Sequence, residues 1–429
     1  MSEMISVLLD KKIRYGIFLL FTLDLLLLGA GKDLPALGIS SRKVFFALFA
    51  MISIVVFVAE YSSRRLTDAA LFCGAAIFLL VWVVLIPALT HGNISYAVTD
   101  ATPLAALAIF LISTEFTRYT VGWIWVRRLM MTFLCAFALL HIALYVFLLL
   151  YPQMQGSVSD LFQYALDVGS GDDARFVFFT PSLDNGVYRI YFGSSFLLLI
   201  GLYFSVTRPT NVRIGWLRLE YVMALLILGA LWATNTRSLM LGAATFIALY
   251  PFCLLFVKKV EQSYWSIFLL LALPIVCSFL LVPTVDPTTL QLIGLGRNVS
   301  DDVRSVQFAS LFDAFKNSPL FGLGFGSNAT FIRAQDTPYA YELSIVGLLM
   351  KVGTVGLLAA CAIWAGVLDT FRSPGNTRAA REVAALYALY CSFVISCFYN
   401  PYIFGFFGTF FLLFVLYEFS YVMRGAEND

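Results

Sequence analysis

Twelve apolar stretches, each long enough to cross a lipid bilayer, occupy most of this 429-residue chain. A hydrocarbon core of about 30 Å requires about 20 residues of helix. Because the stretches are continuously apolar, and barrel strands would alternate in polarity, we expect helices. The predicted spans are 14–30, 43–59, 69–90, 95–113, 128–150, 189–207, 218–234, 237–257, 264–282, 339–366, 383–400 and 404–422.

The composition excludes a soluble globular protein. Hydrophobic residues make up 60% of the chain and charged residues only 13%. A chain with so little charged surface belongs to the membrane class. No internal repeat or low-complexity linker divides it, so the sequence predicts an all-α integral membrane protein with about 12 transmembrane helices in a single polytopic domain, residues 1–429.

The distribution of positive charge predicts the orientation. Most of the 28 lysines and arginines fall in alternate, short gaps between spans. Since cytoplasmic segments carry the excess of Lys and Arg, we expect both termini in the cytoplasm. Two long gaps, 151–188 and 283–338, then lie on the opposite face, which makes them large outer loops. We expect the activity of the protein to lie in these two loops.

The second long loop carries an amphipathic pattern over residues 300–317. Such a pattern predicts a helix that lies on the outer leaflet. Its apolar side chains are Val303, Val306, Leu311, Phe312 and Phe315, and the opposite ones are Asp302, Asp313 and Lys316. Pro319 and three glycines should end it. The sequence GLGFG at 322–326 lacks the lysine of a phosphate-binding loop, so we interpret it as a turn.

Arginine is the residue type that best indicates function. The outer segments contain Arg175, Arg189, Arg237, Arg297, Arg304 and Arg333. A guanidinium group stays charged and binds phosphate oxygens through two parallel hydrogen bonds. Several of them converging from different helices would clamp a lipid pyrophosphate. The alternative for each one is a headgroup anchor or a salt-bridge partner of a nearby carboxylate.

Glu342 is the candidate general base. Thr337 and Pro338 have the residue types of a helix cap and a first helical position, so the tenth helix is predicted to start there. Glu342 would then lie one turn inside the helix, near the outer surface, where a carboxylate could accept a proton from a sugar hydroxyl. The alternative is that Glu342 only pairs with an arginine and holds the loop.

Other chemistries find little support. The chain has two histidines, His91 and His141, with no nearby His or Cys partner outside the bilayer, so no metal site and no cofactor are predicted. His141, inside a helix, is expected to be a hydrogen-bonded packing residue. All seven cysteines fall within predicted spans, so no disulfide framework is expected. No basic run interleaved with aromatic residues indicates nucleic-acid binding.

A succession of motifs resembles a known family. It consists of a TxSR-like segment at 236–238, an arginine near the start of a loop helix, the turn NSPLFGLGFG at 317–326, and a helix with GTVGLL at 353–358. This order is similar to the O-antigen polymerase and O-antigen ligase superfamily of polytopic glycosyltransferases. The resemblance covers roughly residues 170–370 and implies a GT-C-like fold.

The resemblance favours the polymerase branch. The ligases have a motif H-[NSQ]-x-x-L-x6-G at the start of the helix after the large loop. Counting back eleven residues from Gly353 gives Glu342 where the histidine would be, and Val346 takes the leucine position. The polymerases are described by R-x10-G in their large loops. Arg175 and Gly186 fit this spacing in the first loop, and the second loop has no match.

The activity implied by the resemblance is the joining of oligosaccharide repeat units that are linked to undecaprenyl pyrophosphate, for O-antigen, capsule or exopolysaccharide. The site would face the periplasm of a bacterial inner membrane. Expected partners are the lipid-linked glycans, membrane lipids, a chain-length regulator and a flippase. Guanidinium groups would replace a metal, so the glycosyltransferase should be metal-independent.

The same resemblance suggests roles for individual residues. Arg237 and Arg304, with Arg189 as a third candidate, are predicted to bind the donor pyrophosphate and stabilise the charge that grows on it. Glu342 would accept the proton of the acceptor hydroxyl. The predicted glycan contacts are Arg175, Tyr339 and Arg333.

Two other functions stay open. One is an O-antigen ligase that transfers glycan to the lipid A core. The other is a transporter or flippase for lipid-linked oligosaccharides, because Asp24, Lys351 and Glu418 are ionisable residues within predicted spans. Lys351 is expected to pair within the bundle. Against transport, this chain has two long outer loops, whereas transport folds usually have short ones and broken, pseudo-symmetric helices.

Overall fold

The structure of the protein is a computed structural model. It describes residues 33–34, 39–40, 66–112, 120–158, 177–181, 188–207, 213–214, 217–259, 298–333, 335, 337–369, 377–398, 400, 403 and 406–425. The described part of the chain is mostly helical, as expected for an all-α membrane protein.

The described helices are α1 (Leu66–Leu79), α2 (Ile86–Leu89), α3 (Ile94–Ile112), α4 (Thr120–Leu150), α5 (Leu198–Thr207), α6 (Leu219–Ala233), α7 (Arg237–Lys259), α8 (Asn298–Asn317), α9 (Ser344–Asp369), α10 (Thr377–Phe398) and α11 (Phe406–Gly425). A π-helical segment, Leu80–Leu85, joins α1 to α2, and short 3-10 turns occupy Pro152–Met154 and Ser195–Leu197. Three antiparallel strand pairs are β1 (Asp33–Leu34) with β2 (Ile39–Ser40), β3 (Val177–Pro181) with β4 (Tyr188–Phe192), and β5 (Arg213–Ile214) with β6 (Leu217–Arg218).

Four helices of the described part are long and apolar enough to cross a membrane. They are Val126–Leu150, Arg237–Leu255, Ser344–Gly366 and Ala380–Cys397. Shorter apolar helices are Cys73–Leu89, Ser195–Thr207, Leu219–Ala233 and Gly408–Phe419. These eight segments coincide with eight of the predicted spans. Helix α3, Ile94–Ile112, covers all but the last residue of the span predicted at 95–113. The spans predicted at 14–30, 43–59 and 264–282, and both chain ends, lie outside the described residues, so the number of twelve stays a prediction.

The predicted start of the sixth span was wrong. Residues 189–192 belong to strand β4, which pairs in register with β3 so that Arg189 lies opposite Thr180. Both strands are rich in aromatic and β-branched residues, which fit a pleated surface better than a helix. The helical segment begins only at Ser195.

The predicted start of the tenth span was also wrong. Helix α9 begins at Ser344, so Thr337 and Pro338 do not cap it and Glu342 precedes the helix by two residues. Tertiary hydrogen bonds replace helical ones in this segment. The carbonyl of Tyr339 accepts from Lys351, and the Leu343 N–H donates to the Gln307 side chain.

The described residues fall into two compact units. In the unit formed by 1–60 and 113–247, α6 packs against α4 and α5. His141 is fully buried there, as expected of a packing residue. Its Nδ1 is 2.8 Å from the Phe137 carbonyl and must donate to it, so Nε2, 2.9 Å from Ser195 Oγ, accepts from that hydroxyl.

The second unit, residues 61–112 and 248–429, contains α1 to α3 and α8 to α11. Helix α9 packs against α1, α8 and α10, and α11 packs against α3 and α10. A buried cluster joins the π-helical segment to α3 and α9 through Trp82, Ala97, Phe325 and Val352. This unit carries the candidate functional site.

The predicted loop helix is present as α8, and it ends before Pro319 as expected. Its apolar face differs from the prediction. Gln307 and Leu311 are buried against the following elements, whereas Val303 and Val306 are exposed. The helix packs along α9, and Gln307 is buried because its side chain accepts a hydrogen bond from the Leu343 N–H. The buried face of α8 is therefore not determined by apolarity alone.

Candidate functional site

A break in helix α9 at Gly353 organises the site. Gly353 has φ +64° and ψ −174°, which is outside the helical region. A Cβ at this position would lie 2.3 Å from the Leu320 carbonyl oxygen, so a glycine is required both by conformation and by space. The break frees the carbonyls of Met350 and Lys351 and the N–H groups of Thr354 and Val355 from their helical partners.

The loop after α8 supplies the missing partners. The N–H groups of Leu323 and Gly324 donate to the carbonyls of Met350 and Lys351, at 3.0 and 2.8 Å. The N–H groups of Thr354 and Val355 donate to the carbonyls of Pro319 and Leu320, both at 2.9 Å. The loop and the helix break therefore satisfy each other's backbone groups, which explains why the glycine-rich turn packs against α9 at this point.

The same loop also supplies a hydrogen-bond donor that is missing in the π-helical segment. Pro87 has no N–H to donate to an earlier carbonyl, and the carbonyl of Trp82 accepts instead from Phe325 N–H at 2.9 Å. Trp82 Nε1 in turn donates to the Phe321 carbonyl at 2.8 Å. We call residues 298–333, comprising α8 and the returning segment 318–333, the glycine hairpin.

A buried ion pair holds the hairpin against α3. Lys351 Nζ lies 2.8 Å and 2.7 Å from the two carboxylate oxygens of Asp100, and it donates to the Tyr339 carbonyl at 2.9 Å. Asp100 also accepts from the Gly326 N–H at 2.9 Å. The side chains of Lys351 and Asp100 are only 1% and 3% exposed. The expectation that Lys351 pairs within the bundle is confirmed.

A second ion-pair cluster lies just before α9. Arg304 Nε donates to Glu342 Oε2 at 3.0 Å, and Arg333 Nη1 lies 2.5 Å from Glu342 Oε1. Arg304 comes from the first turns of α8 and Arg333 from the returning segment of the hairpin. The side chains of Arg304, Glu342 and Arg333 are 21%, 20% and 47% exposed. Two guanidinium groups and one carboxylate thus share a position that solvent reaches.

Neighbouring hydrogen bonds fix the backbone that carries Glu342. The Tyr341 hydroxyl accepts from the Ala329 N–H at 2.6 Å, and Gln307 Oε1 accepts from the Leu343 N–H at 3.1 Å. Burial raises the pKa of the Tyr341 phenol, and the Asp100 carboxylate raises that pKa further, while the bond from Ala329 lowers it. Glu342 is therefore flanked by two residues that anchor it to the hairpin.

The structure brings together three of the predicted site residues, Arg304, Arg333 and Glu342. Tyr339 lies nearby but is buried, with its ring 5.5 Å from that of Tyr96 and 5.9 Å from Lys351 Nζ. Its role as a glycan contact stays a prediction. The alternative for Glu342, pairing with arginine, describes its contacts correctly and leaves its chemistry open.

The remaining predicted arginines belong to the first unit or lie outside the described residues. The Arg189 guanidinium lies over the Tyr191 ring at 5.2 Å from its centroid. Arg237 is the first residue of α7, as its predicted position at a helix end requires. Arg175 and Arg297, and the Arg175–Gly186 spacing, are outside the described residues, so no geometry tests them.

Sequence reasoning missed Asp100 and Gln307. Both occur in helices without a motif, and their partners are 251 and 36 residues away. An aspartate in an apolar span was the available signal for Asp100, because a buried carboxylate requires a partner. Within the described residues no group of three or more His, Cys, Asp or Glu side chains could hold a metal ion.

Comparisons with family models, with curated proteins and with solved structures found no match for this chain.

Proposed function

We propose that the chain is a polysaccharide polymerase that joins oligosaccharide repeat units carried on undecaprenyl pyrophosphate, at the periplasmic face of a bacterial inner membrane. The observation that carries the proposal is the convergence of Arg304 and Arg333, from separate segments, on the Glu342 carboxylate. The cluster precedes a helix long and apolar enough to cross a membrane. The twelve-span topology, the two periplasmic loops and the partner proteins are part of the proposal.

The two guanidinium groups supply what a departing diphosphate needs. The acceptor hydroxyl attacks the anomeric carbon of the donor sugar, and the bond from that carbon to the phosphate oxygen breaks. The electron pair leaves with the lipid diphosphate, whose growing charge Arg304 and Arg333 stabilise. Arg333 was predicted from the sequence as a glycan contact; its place beside Arg304 at Glu342 supports the diphosphate role instead. A metal ion is not needed for this step. Direct displacement inverts the anomeric centre.

Glu342 accepts the proton of the acceptor hydroxyl. In the substrate-free protein both of its oxygens contact guanidinium groups. A diphosphate competes for those groups, since phosphate oxygens bind arginine through two parallel hydrogen bonds. Binding of the donor therefore loosens the ion pairs and exposes the carboxylate as a base only when the leaving group is in place.

An apolar cavity of about 160 Å³ supports a lipid-linked substrate. Ile345 and Leu348, one to two turns after Glu342, line it together with Phe393 and Val394 of α10. Its walls are almost entirely hydrocarbon and aromatic, which suits part of an isoprenoid chain. A carrier lipid held there would contact the helix that follows the charged cluster.

The test replaces the chromosomal copy of the gene and displays surface polysaccharide by gel electrophoresis. The natural chain gives a ladder of polymers, and Glu342→Gln or Arg304→Ala gives single repeat units at equal protein abundance in the membrane. Asp313→Asn and Lys316→Ala are matched controls, because they disrupt an exposed ion pair on the same helix. A full ladder from Glu342→Gln would contradict the role of Glu342.

The same experiment separates the alternative functions. A ligase variant leaves the ladder intact on its lipid carrier but not on the lipid A core. A flippase variant leaves lipid-linked repeat units in the cytoplasmic leaflet. The intramembrane lysine that favoured transport is engaged by Asp100 and the Tyr339 carbonyl, which fits a structural role for that charge.

A further inference from the structure

Helix α8 and the first part of α9 run side by side in the same direction. Near their starts Arg304 contacts Glu342, and near the end of α8 Pro319 contacts Thr354. About 15 residues of hairpin thus match about 12 residues leading into and along α9, a distance of roughly 20 Å at 1.5 Å per helical residue. The tip of the glycine hairpin therefore lies alongside the interior of the candidate span Ser344–Gly366 and not at its end.

The tip continues an apolar surface of that span. Val355 and Leu358 of α9 are exposed on the span, and Val355 donates its N–H to the Leu320 carbonyl. Leu320 and Phe321 are themselves 59% and 52% exposed. Large apolar side chains next to the exposed side of a membrane-crossing helix contact the same lipid as that helix.

Two runs of backbone groups in the tip meet the requirement that lipid imposes, the carbonyls of residues 319–321 and the N–H groups of residues 322–326. Three consecutive carbonyls, those of Pro319, Leu320 and Phe321, accept hydrogen bonds from the protein. Five consecutive N–H groups, at residues 322–326, donate to the protein. Non-helical backbone at membrane depth is tolerated where it is buried in protein or lines a water-filled cavity. These bonds hold this part of the tip's backbone against the protein. A loop tip surrounded by water has no such requirement.

The charges of α8 stop short of the tip. Asp313 and Lys316 pair with each other at 3.0 Å, with Lys316 Nζ also 4.8 Å from the Phe312 ring centroid. They lie one to two turns before Leu320, on the side of Arg304. A lysine stem can run along apolar surface while its ammonium group reaches the headgroups. Along the hairpin, charged side chains therefore precede apolar ones, in the same sequence in which lipid headgroups precede acyl chains.

We propose that the hairpin is re-entrant: Leu320 and Phe321 insert between the acyl chains of the adjoining leaflet, while Asp313 and Lys316 remain at its headgroups. This differs from the expectation of a helix that lies flat on the leaflet, because α8 descends along α9 and presents only its tip. The inference concerns lipid contact and does not depend on the proposed reaction.

The test uses nitroxide spin labels on the full chain in phospholipid nanodiscs. Leu320→Cys and Phe321→Cys are labelled separately, with Leu358→Cys as the lipid-facing reference and Ser305→Cys as the water-facing reference. The natural chain, treated identically, gives the background from its own cysteines. Collision rates with oxygen, which concentrates in acyl chains, and with a charged nickel chelate, which stays in water, are then compared.

Labels at 320 and 321 should behave like the label at 358, with oxygen collisions dominating, and the label at 305 should show the reverse. Dominant nickel collisions at both tip positions would overturn the proposal. Exclusion of both reagents would also overturn it, because protein, and not lipid, would then cover the tip. Two tip positions keep the test valid if one variant fails to fold.

Discussion

Two ion-pair clusters contact the same glycine hairpin and differ chiefly in burial. The pair of Asp100 and Lys351 is almost completely removed from solvent; Asp100 accepts from the Gly326 N–H of the hairpin, and Lys351 donates to the Tyr339 carbonyl in the segment before α9. Arg304, Arg333 and Glu342 remain partly exposed. A buried pair must be fully satisfied or it destabilises the fold, whereas a pair that solvent reaches contributes less to stability and can exchange partners with a ligand.

The comparison explains why similar residues have different expected roles. The Asp100–Lys351 pair links the hairpin to α3 and α9. A ligand that replaced either partner in this pair would separate the hairpin from those helices. The arginines contact a carboxylate at the open end of the hairpin, where a diphosphate could replace it without disturbing the backbone bonds around Gly353. The first cluster positions the second.

The largest effect is expected for Glu342→Gln in a purified polymerisation assay with lipid-linked repeat unit extracted from the source cells. General base catalysis contributes about 10²–10⁴-fold, so the rate should fall by about that factor. The free energy of unfolding should change by about 1 kcal/mol or less, because the pairs are partly exposed. Asp313→Asn is the control and should keep the natural rate. A rate that Glu342→Gln leaves unchanged would remove Glu342 from the chemistry.

The next effect concerns the buried pair. Lys351→Met leaves the Asp100 carboxylate buried without its cation, and breaking such a pair costs about 3–5 kcal/mol in the free energy of unfolding. The double variant Asp100→Leu with Lys351→Met should recover most of this loss, since no unpaired charge remains. Denaturant unfolding in detergent micelles measures both. Losses that simply add in the double variant would show that the two charges are not coupled.

Much of this architecture was predictable because hydropathy is a local property. The spans at 128–150, 237–257 and 383–400 depend on about 20 consecutive side chains and were found. The pairing of Arg304 with Glu342 was anticipated in part, since topology put both on one face. The break at Gly353 was not, because a hydropathy pattern does not change when a helix loses two hydrogen bonds to a loop 30 residues away.

The strand at Tyr188–Phe192 also shows that a local sequence pattern does not determine every element. Its sequence YRIYF is apolar enough for a span and aromatic enough for a strand, and its partner β3 decides between them. The partner of Asp100 was unpredictable for a related reason, as Lys351 is 251 residues away in the sequence. Long-range partners, and not composition, determine these features.

A smaller effect is expected from the glycines of the hairpin. Gly322 has φ +71°, and a Cβ there would lie 2.4 Å from the Lys351 carbonyl oxygen. Gly322→Ala should cost about 1–3 kcal/mol from backbone conformation, with the clash added. The matched control is Gly347→Ala, whose Cβ would meet Tyr341 at 3.7 Å and which should stabilise by about 0.5–1 kcal/mol because it lies in a helix. Equal unfolding midpoints for the two variants would show that the hairpin is not docked tightly.

The smallest effect is a salt dependence that separates the two clusters directly. Raising the salt from 0.1 M to 1 M shortens the screening length from about 10 Å to about 3 Å for exposed charges and affects buried ones much less. The coupling energy between Arg304 and Glu342, measured by a double-mutant cycle of unfolding, should therefore fall from about 1 kcal/mol or less toward zero. The coupling between Asp100 and Lys351 should stay constant, because solvent ions do not reach that pair. A cycle on the exposed Asp313–Lys316 pair provides the limiting case of full screening. If the coupling of the buried pair fell in parallel with that of Arg304 and Glu342, water would reach Asp100, and the distinction between a structural and an exchangeable cluster would fail.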